Sequence, residues 1–386
     1  MREGWEYKKI KDIGSVIAGT TPDTNVAEYW NGTLCWISPA ELDGSHYLYD
    51  SKKKITEAAV KAKSLKLLPE GTVILSSRAP IGKVVINKVP TYCNQGFKCV
   101  VCGSEIYNEF LYWWFWGKED YLNSLGTGAT FKEISKRVVE EIKIPVPSLS
   151  TQESIVSELD KINELISLKK EQLKDYDNLA QSIFYDMFGD PVTNEKGWDT
   201  NKLETLTKSE GGGTPSKSKP EYWNGNIIWV SSKDMKSTYI SDSLIHITQE
   251  GVNNSPAHLL PIGTILIVNR SGILKHTLPI AITTKEVTIN QDIKALVVNS
   301  SKTNNIYLLY CLKACSPFLL SKVKAVTVDS IDFAIFKKLP IPLPPLPLQQ
   351  SFAKRIEAIE KQKQLISSEI KDLETLLASR MQYWFD

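Results

Sequence analysis

From Ile155 to Met187 an apolar or aromatic side chain returns every three or four residues. The positions are Ile155, Leu159, Ile162, Ile166, Leu173, Tyr176, Ala180, Ile183 and Met187, and only Lys169 breaks step. The stripe recurs at Phe352, Ile356, Ile359, Ile366, Ile370, Leu373, Leu377 and Trp384, with Lys363 and Arg380 interrupting. Adding 197 to each position of the first stripe gives the second, interruptions aside. An apolar residue every 3.5 on average keeps one seam turned toward a partner, so both stretches read as coiled-coil helices. At ~1.5 Å per residue each is roughly 50 Å long. Neither can bury a one-sided seam alone, and the simplest solution is that the two pack on each other within the chain.

Both helices are introduced alike, by IPVPSLSTQE from Ile144 to Glu153 and IPLPPLPLQQ from Ile341 to Gln350. Proline fixes φ, lacks a donor and pushes its predecessor out of the α region. These stretches therefore read as stiff, extended arms that end a globular domain before the helix starts. Ser150 or Thr151 is the expected cap of the first helix, and Pro347 falls near the start of the second, where proline is tolerated. The chain thus divides into a globular domain at 1–147, a long helix at 148–190, a second globular domain at 191–344 and a second long helix at 345–386.

The two domains are copies. Trp5 matches Trp198, Thr21-Pro22 matches Thr214-Pro215, the EYWNG of Glu28–Gly32 matches that of Glu221–Gly225, and Trp36 matches Trp229, all at an offset of 193. Pro69-Glu-Gly-Thr-Val-Ile-Leu matches Pro261-Ile-Gly-Thr-Ile-Leu-Ile, and Arg78 matches Arg270, at 192. Asn94-Gln95 matches Asn290-Gln291 at 196, and Thr130 matches Thr327 at 197. Each copy is rich in short Val, Ile and aromatic runs bounded by Gly, Pro and Asn, which are strand signals: LCWIS and IIWVS, GTVILSSR and GTILIVNR, FKCVVC and IKALVV. A compact apolar helix follows, around Phe110–Leu125 and Ile306–Lys322. Its cluster Tyr112-Trp-Trp-Phe-Trp116 could stack on bases, but the copy reads LLYCL, which favours packing against the sheet. The expected class is α+β, two duplicated domains of mixed or antiparallel sheet with helices, joined and spaced by the paired rods.

The 386 residues suffice for two domains with proper cores, and 42% hydrophobic with 23% charged residues is a globular composition. A net charge of +2 neither argues for nor against a nucleic-acid partner, so clustering must decide. No run has the apolar length of a membrane span and the N-terminus is no signal peptide, so a cytoplasmic protein is expected. Cys99 and Cys102 form a C-x-x-C, but without a second pair or a nearby histidine they read as buried reduced thiols rather than a metal site.

No catalytic constellation is present. There is no Gly-rich cofactor turn, no Asn/Asp-Pro-Pro-aromatic loop, no phosphate loop and no HExxH, and Gly211-Gly-Gly213 precedes Thr-Pro, so it is a turn. Glu141-Ile-Lys143 resembles half of a nuclease metal site, yet its copy reads Lys338-Leu-Pro340. What recurs in both copies is polar and basic residues on turns: Arg78, Lys83, Asn94, Gln95, Thr127, Thr130 and Lys132 in the first, and Arg270, Lys275, His276, Asn290, Gln291, Thr327 and Ser330 in the second. Arg, Asn and Gln read base edges bidentately, while Lys, Ser and Thr mostly hold phosphates. Asn94 and Asn290 fit turn formation equally. Three functions follow from this: a non-catalytic DNA-recognition subunit, a free-standing nuclease or methyltransferase, or a scaffold joining two ligand-binding domains unrelated to DNA.

Over essentially its whole length the chain resembles a specificity subunit of a type I restriction–modification system. The carriers are the tandem duplication, the YWNG segments at Tyr29 and Tyr222, the Gly-Thr-x-Leu/Ile runs after Pro69 and Pro261, and the I-P-x-P-x-L-x-x-Q arms at Ile144–Gln152 and Ile341–Gln349. The resemblance implies two target-recognition domains, inverted with respect to each other, each reading half of a bipartite double-stranded DNA site. It implies an antiparallel coiled coil that spaces them and helps dock two modification subunits. S-adenosylmethionine, ATP and Mg are then expected on partner subunits only, with restriction and translocase subunits joining and no metal or cofactor on this chain. Two departures bear on partner contacts: the chain opens directly in a recognition domain, and the second helix stops at Trp384-Phe-Asp386.

Overall fold

The computed structural model describes residues 5–78, 80–128, 132–321, 324–325 and 329–386. Two compact units result, one of Met1–Lys170 with Ser368–Asp386 and one of Glu171–Ser367. The long helices run uninterrupted over Leu149–Phe188 and Leu346–Phe385, so each unit holds one globular copy and a stretch of both helices.

In the first unit a five-stranded sheet has the order Gly14–Ala18, Phe97–Cys102, Val73–Ser76, Val84–Asn87, Tyr47–Leu48. Its pairings are antiparallel except the last, which is parallel. A three-stranded sheet places Trp30–Ile37 between Lys53–Ile55 and Thr91–Cys93. The second unit repeats this plan strand for strand. Thr207–Gly211, Ile293–Val298, Ile265–Val268, Ile280–Thr283 and Tyr239–Ile240 form its five-stranded sheet, and His246–Ile247, Trp223–Val230 and Thr288–Ile289 its three-stranded one. Lys324–Ala325 pairs antiparallel with Asp329–Ser330, as Thr127 bridges Glu133 at the matching place in the first unit. The central strands are buried on both faces, which is why they read as continuous apolar runs rather than alternating ones. The chain is α+β, as its sequence pattern indicates.

The YWNG segments are β-bulges. The pairing register slips between Trp30 and Leu34, and again between Trp223 and Ile227. Asn31 and Asn224 take left-handed backbone, with φ of 60° and 58°, which Asn tolerates better than most residues. A Cβ on Gly32 or Gly225 would lie 2.3 Å from the carbonyl oxygen of Ile55 or Ile247, so only glycine fits.

The apolar helix expected around Phe110–Leu125 is two helices, Asn108–Trp116 and Glu119–Leu125, and its copy is Asn305–Ala314 followed by Ser316–Leu320. Gly117 ends the first pair member, and Pro317, lacking an N–H, can only open the next helix in the copy. Tyr112, Trp113, Trp114 and Phe115 are buried, so the aromatic cluster is core, with Trp116 at its exposed edge. The proline arms are strands rather than bare spacers: Lys143–Val146 pairs antiparallel with Glu6–Lys9, and Pro340–Pro342 with Thr200–Lys202. Proline is accommodated because in a two-stranded ribbon every strand is an edge. The cap of the first long helix is Ser148, whose hydroxyl accepts from Thr151 N at 3.3 Å, and not Ser150 or Thr151.

In the first unit Glu158 meets Arg380 while Lys169 meets Glu369, so the two helix stretches are antiparallel. In the second unit Asp177 meets Lys363 while Phe188 meets Phe352, and the stretches are antiparallel there too. Ile155, Leu159, Ile162, Ile166, Ala180, Phe352, Ile356, Ile359, Ile366, Ile370 and Leu377 are buried along the seam, and Leu173, Tyr176 and Leu373 half-buried. All three charged interruptions join ion pairs across the seam: Lys169 with Glu369 at 2.7 Å, Lys363 with Asp177 at 2.6 Å, and Arg380 with Glu158. Toward the helix ends the buried positions move by one. Phe184 and Phe188 are buried where Ile183 and Met187 are half-buried, and Phe385 is buried beside a half-buried Trp384. A straight helix drifts ~20° per heptad from a 3.5 repeat, and these ends face globular core: Phe184 stacks on Tyr307 at 5.9 Å, and Phe385 sits edge-on to Phe110 at 5.3 Å.

Candidate nucleic-acid interface

In both units the Gly/Thr/Pro turn and the Asn-Gln turn form one loop pair. A Cβ on Gly19 would lie 1.8 Å from Asn94 O, and one on Gly212 2.1 Å from Asn290 O, so glycine lets the two backbones touch. Thr21 Oγ1 donates to Gln95 Oε1, and Thr214 Oγ1 to Gln291 Oε1. A tryptophan supports each pair from below: Trp36 Nε1 donates to Thr20 O at 3.2 Å, and Trp229 Nε1 to Gly213 O at 2.9 Å. Gln95 and Gln291 are exposed, oriented by these threonines. Asn94 and Asn290 are turn formers, their Oδ1 atoms accepting from Gly96 N at 2.7 Å and Asp292 N at 3.1 Å, and Asn290 is buried.

Beside this pair, in the first unit, runs the loop carrying Arg78. Its Cδ lies 3.8 Å from where a Cβ on Gly96 would be, so the side chain crosses the Asn-Gln turn. Arg78 Nε donates to Glu133 Oε2 at 2.9 Å, and Lys98 Nζ donates to Glu133 Oε1 at 3.1 Å and Ser77 Oγ at 3.0 Å. Burial pushes the Glu133 carboxyl up, but the Lys98 and Arg78 bonds outweigh it and hold it below the ordinary range. Thr127 bridges Glu133 through the backbone, which brings Thr127 to the same edge, and Lys132 is exposed. In the second unit Arg270 bridges Ser330 in the matching place. Lys275 and His276, both exposed, end and follow the short 3₁₀ turn Gly272–Lys275. Lys83 points elsewhere, its Nζ donating to Leu42 O at 3.1 Å. Thr130 and Thr327 lie outside the described residues.

Of the predicted residues, then, Arg78, Gln95 and Thr127 share one edge in the first unit, and Arg270 and Ser330 bridge in the second. The sequence reading passed over Thr21, Thr214, Lys98, Glu133 and Lys294. A lysine set inside an otherwise apolar strand run at the same place in both copies, FKCVVC and IKALVV, was the available signal. Cys93 and Cys99 lie 3.5 Å apart, sulfur to sulfur, as free thiols, and burial pushes the Cys102 thiol up to about 12. No cluster of three or more metal-ligating side chains occurs among the described residues.

Tandem copies of one α+β module, each with a loop edge of exposed polar and basic side chains and each built onto both long helices, define a duplicated recognition protein. The family model of the type I restriction modification DNA specificity domain matches residues 2–175 and 195–375, and the chain belongs to that family. It is 32% identical to the type I restriction enzyme MjaIX specificity subunit of Methanocaldococcus jannaschii, covering 94% of this chain and 89% of that one. It is 34% identical to the EcoR124I/EcoR124II specificity subunit of Escherichia coli over 59% of this chain and 57% of the other. In fold it is similar to the type I S subunit of M. genitalium, with a TM-score of 0.58 at 13% identity over 99% of this chain and 96% of that one. A chain from a study of type I restriction–modification complex assembly gives 0.62 at 18% identity, over 99% and 97%. The family's specificity subunits are non-catalytic, and this chain is one of them. No helix among the described residues is long and apolar enough to cross a membrane.

Proposed function

We propose that this chain directs a type I restriction–modification complex to its DNA, each unit reading one half of an asymmetric bipartite site. Because the two loop edges share a framework but differ in their side chains, the half-sites differ in sequence. The long helices set an unread gap between them and dock two modification subunits. S-adenosylmethionine, and ATP with Mg, belong to the modification and restriction subunits, and the complex works in the cytoplasm. The observation that carries this reading is that family membership extends over both copies while the paired turns recur in each with the same hydrogen bonds.

The residues proposed to face DNA are Gln95, Thr127 and Lys132 in the first unit, and Arg270, Lys275, His276 and Gln291 in the second. Mapping methylated adenines in a host that expresses this chain with its modification subunit tests the reading. The expected result is one split motif with a fixed gap, absent when either is omitted. A contiguous motif, or methylation by the chain alone, overturns it.

A further inference from the structure

The duplication offers an internal comparison at the loop edge. In the first unit one carboxylate, Glu133, bridges two cations, Arg78 at 2.9 Å and Lys98 at 3.1 Å. The second unit keeps both cations at the same backbone stations. Lys98 stands opposite Leu75 in the sheet and Lys294 opposite Ile267, which is the same register. Arg78 bridges Glu133 and Arg270 bridges Ser330 through the backbone. Ser330 thus stands where the carboxylate would be, and a hydroxyl replaces an anion.

The consequences are visible. Arg270 is exposed and forms no ion pair among the described residues, whereas Arg78 is tied. Lys98 is 5% exposed, held by Glu133 and the Ser77 hydroxyl. Lys294 has neither partner among the described residues. Its ammonium sits 5.6 Å from the Phe333 ring, and against Gly211, where the first copy has Ala18. Asn269, which takes the place of Ser77, leaves its Oδ1 buried with no hydrogen-bond partner among the described residues. The Glu133 carboxylate shows that an oxyanion fits between this Arg and this Lys, whereas in the second unit neither Arg270 nor Lys294 pairs with a carboxylate among the described residues, the nearby Asp292 being held by Asn290 Nδ2.

We propose that Arg270, Lys294 and the Ser330 hydroxyl form an oxyanion site that takes a phosphate of the DNA backbone, while the equivalent site in the first unit is closed by its own Glu133. The inference rests on the DNA-reading assignment above. The two recognition domains therefore grip the duplex unequally: the second contributes an arginine and a lysine to phosphate neutralisation that the first spends on itself. Neutralising a phosphate releases condensed counterions, so each such contact steepens the dependence of affinity on salt.

The test measures binding of the full chain, assembled with its modification subunits, to a fluorescent duplex carrying the site that the complex methylates, across a salt series. Arg270→Gln and Lys294→Gln are each expected to weaken binding about tenfold and to make the slope of log affinity against log salt shallower by about one. Arg78→Gln is expected to leave the slope as in wild type, and Glu133→Ser, which copies Ser330, to steepen it by about one. Thermal melts confirm that each variant is folded. Wild-type affinity and slope in both Arg270→Gln and Lys294→Gln overturn the proposal, as does an unchanged slope in Glu133→Ser. A kept slope with relaxed discrimination between bases assigns Arg270 to a base edge and overturns the phosphate assignment. A wild-type complex with no affinity for any duplex removes the DNA reading itself, which is a separable outcome.

Discussion

Gln152 Oε1 accepts the backbone N–H of Tyr107 at 2.8 Å, while its Nε2 donates to Glu105 O and Pro147 O, each at 2.9 Å. Gln349 does the same work in the second unit, accepting from Asn304 N at 2.8 Å and Thr303 Oγ1 at 2.9 Å and donating to Pro344 O at 2.8 Å. Both side chains are buried, and each locks a proline arm, a long helix and the start of an apolar helix together. Gln152→Ala or Gln349→Ala strands several buried polar groups, each worth about 1–3 kcal/mol when left unpaired. A loss of about 3 kcal/mol in denaturant unfolding is expected, against under about 0.5 kcal/mol for the exposed Gln350→Ala. Equal losses at Gln349 and Gln350 would show that the clamp does not hold the fold.

The seam is held by burial and only decorated by its charges. Ile162→Ala and Ile359→Ala remove buried side chains and should each cost about 2–4 kcal/mol. Lys169→Ala breaks a solvent-exposed pair with Glu369 and should cost less than about 1 kcal/mol, a loss that shrinks in high salt. Urea titrations at low and high salt compare them. A lysine variant as damaging as the isoleucine variants sinks this ranking.

If the long helices set the gap, removing one heptad from each shortens them by ~10.5 Å. At ~3.4 Å per base pair that is about three base pairs. The methylated motif should keep both half-sites and lose about three positions of the unread gap. An unchanged gap with one half-site altered contradicts the spacing role.

Lys313 lies where the apolar helix of the second unit meets Thr238, to whose hydroxyl it donates at 2.5 Å. Burial pulls its ammonium down to about 8 from the ordinary 10.5, the nearby Asp177 carboxylate opposing this only in part. Below pH 8 the folded and unfolded chains both carry the proton, and the folded one bears the full cost of burying the charge. Between about 8 and 10.5 the unfolded chain still binds the proton that the folded chain has released, so wild-type stability rises with pH through that window. Lys313→Met should therefore be more stable than wild type at pH 7, by about 1–3 kcal/mol, and its advantage should fade toward pH 10. Unfolding at both pH values decides it, and an advantage that grows with pH refutes the assignment.

Much of the fold was legible because it is written twice. Residues that recur at a fixed offset and play the same part in both units, such as the Trp-Asn-Gly bulges and the buried glutamines, stand out against divergent surroundings. The site was less legible. Asn94 and Gln95 are neighbours of similar chemistry, yet one closes a turn and the other is presented by Thr21, a partner 74 residues away. No local pattern separates them.

The sequence by itself determined the duplication, the strand runs, the helical seam and the α+β class, since these depend on periodicity and on residues that are near one another along the chain. Tertiary structure alone decided that the proline arms pair as strands, that Phe184 and Phe385 take the buried positions from Ile183 and Trp384, and that Arg78 is paired with a carboxylate while Arg270, among the described residues, is not. Each of those outcomes depends on a group brought close in space from a distant part of the chain, and electrostatic and packing energies respond to distance in space, which sequence spacing does not encode.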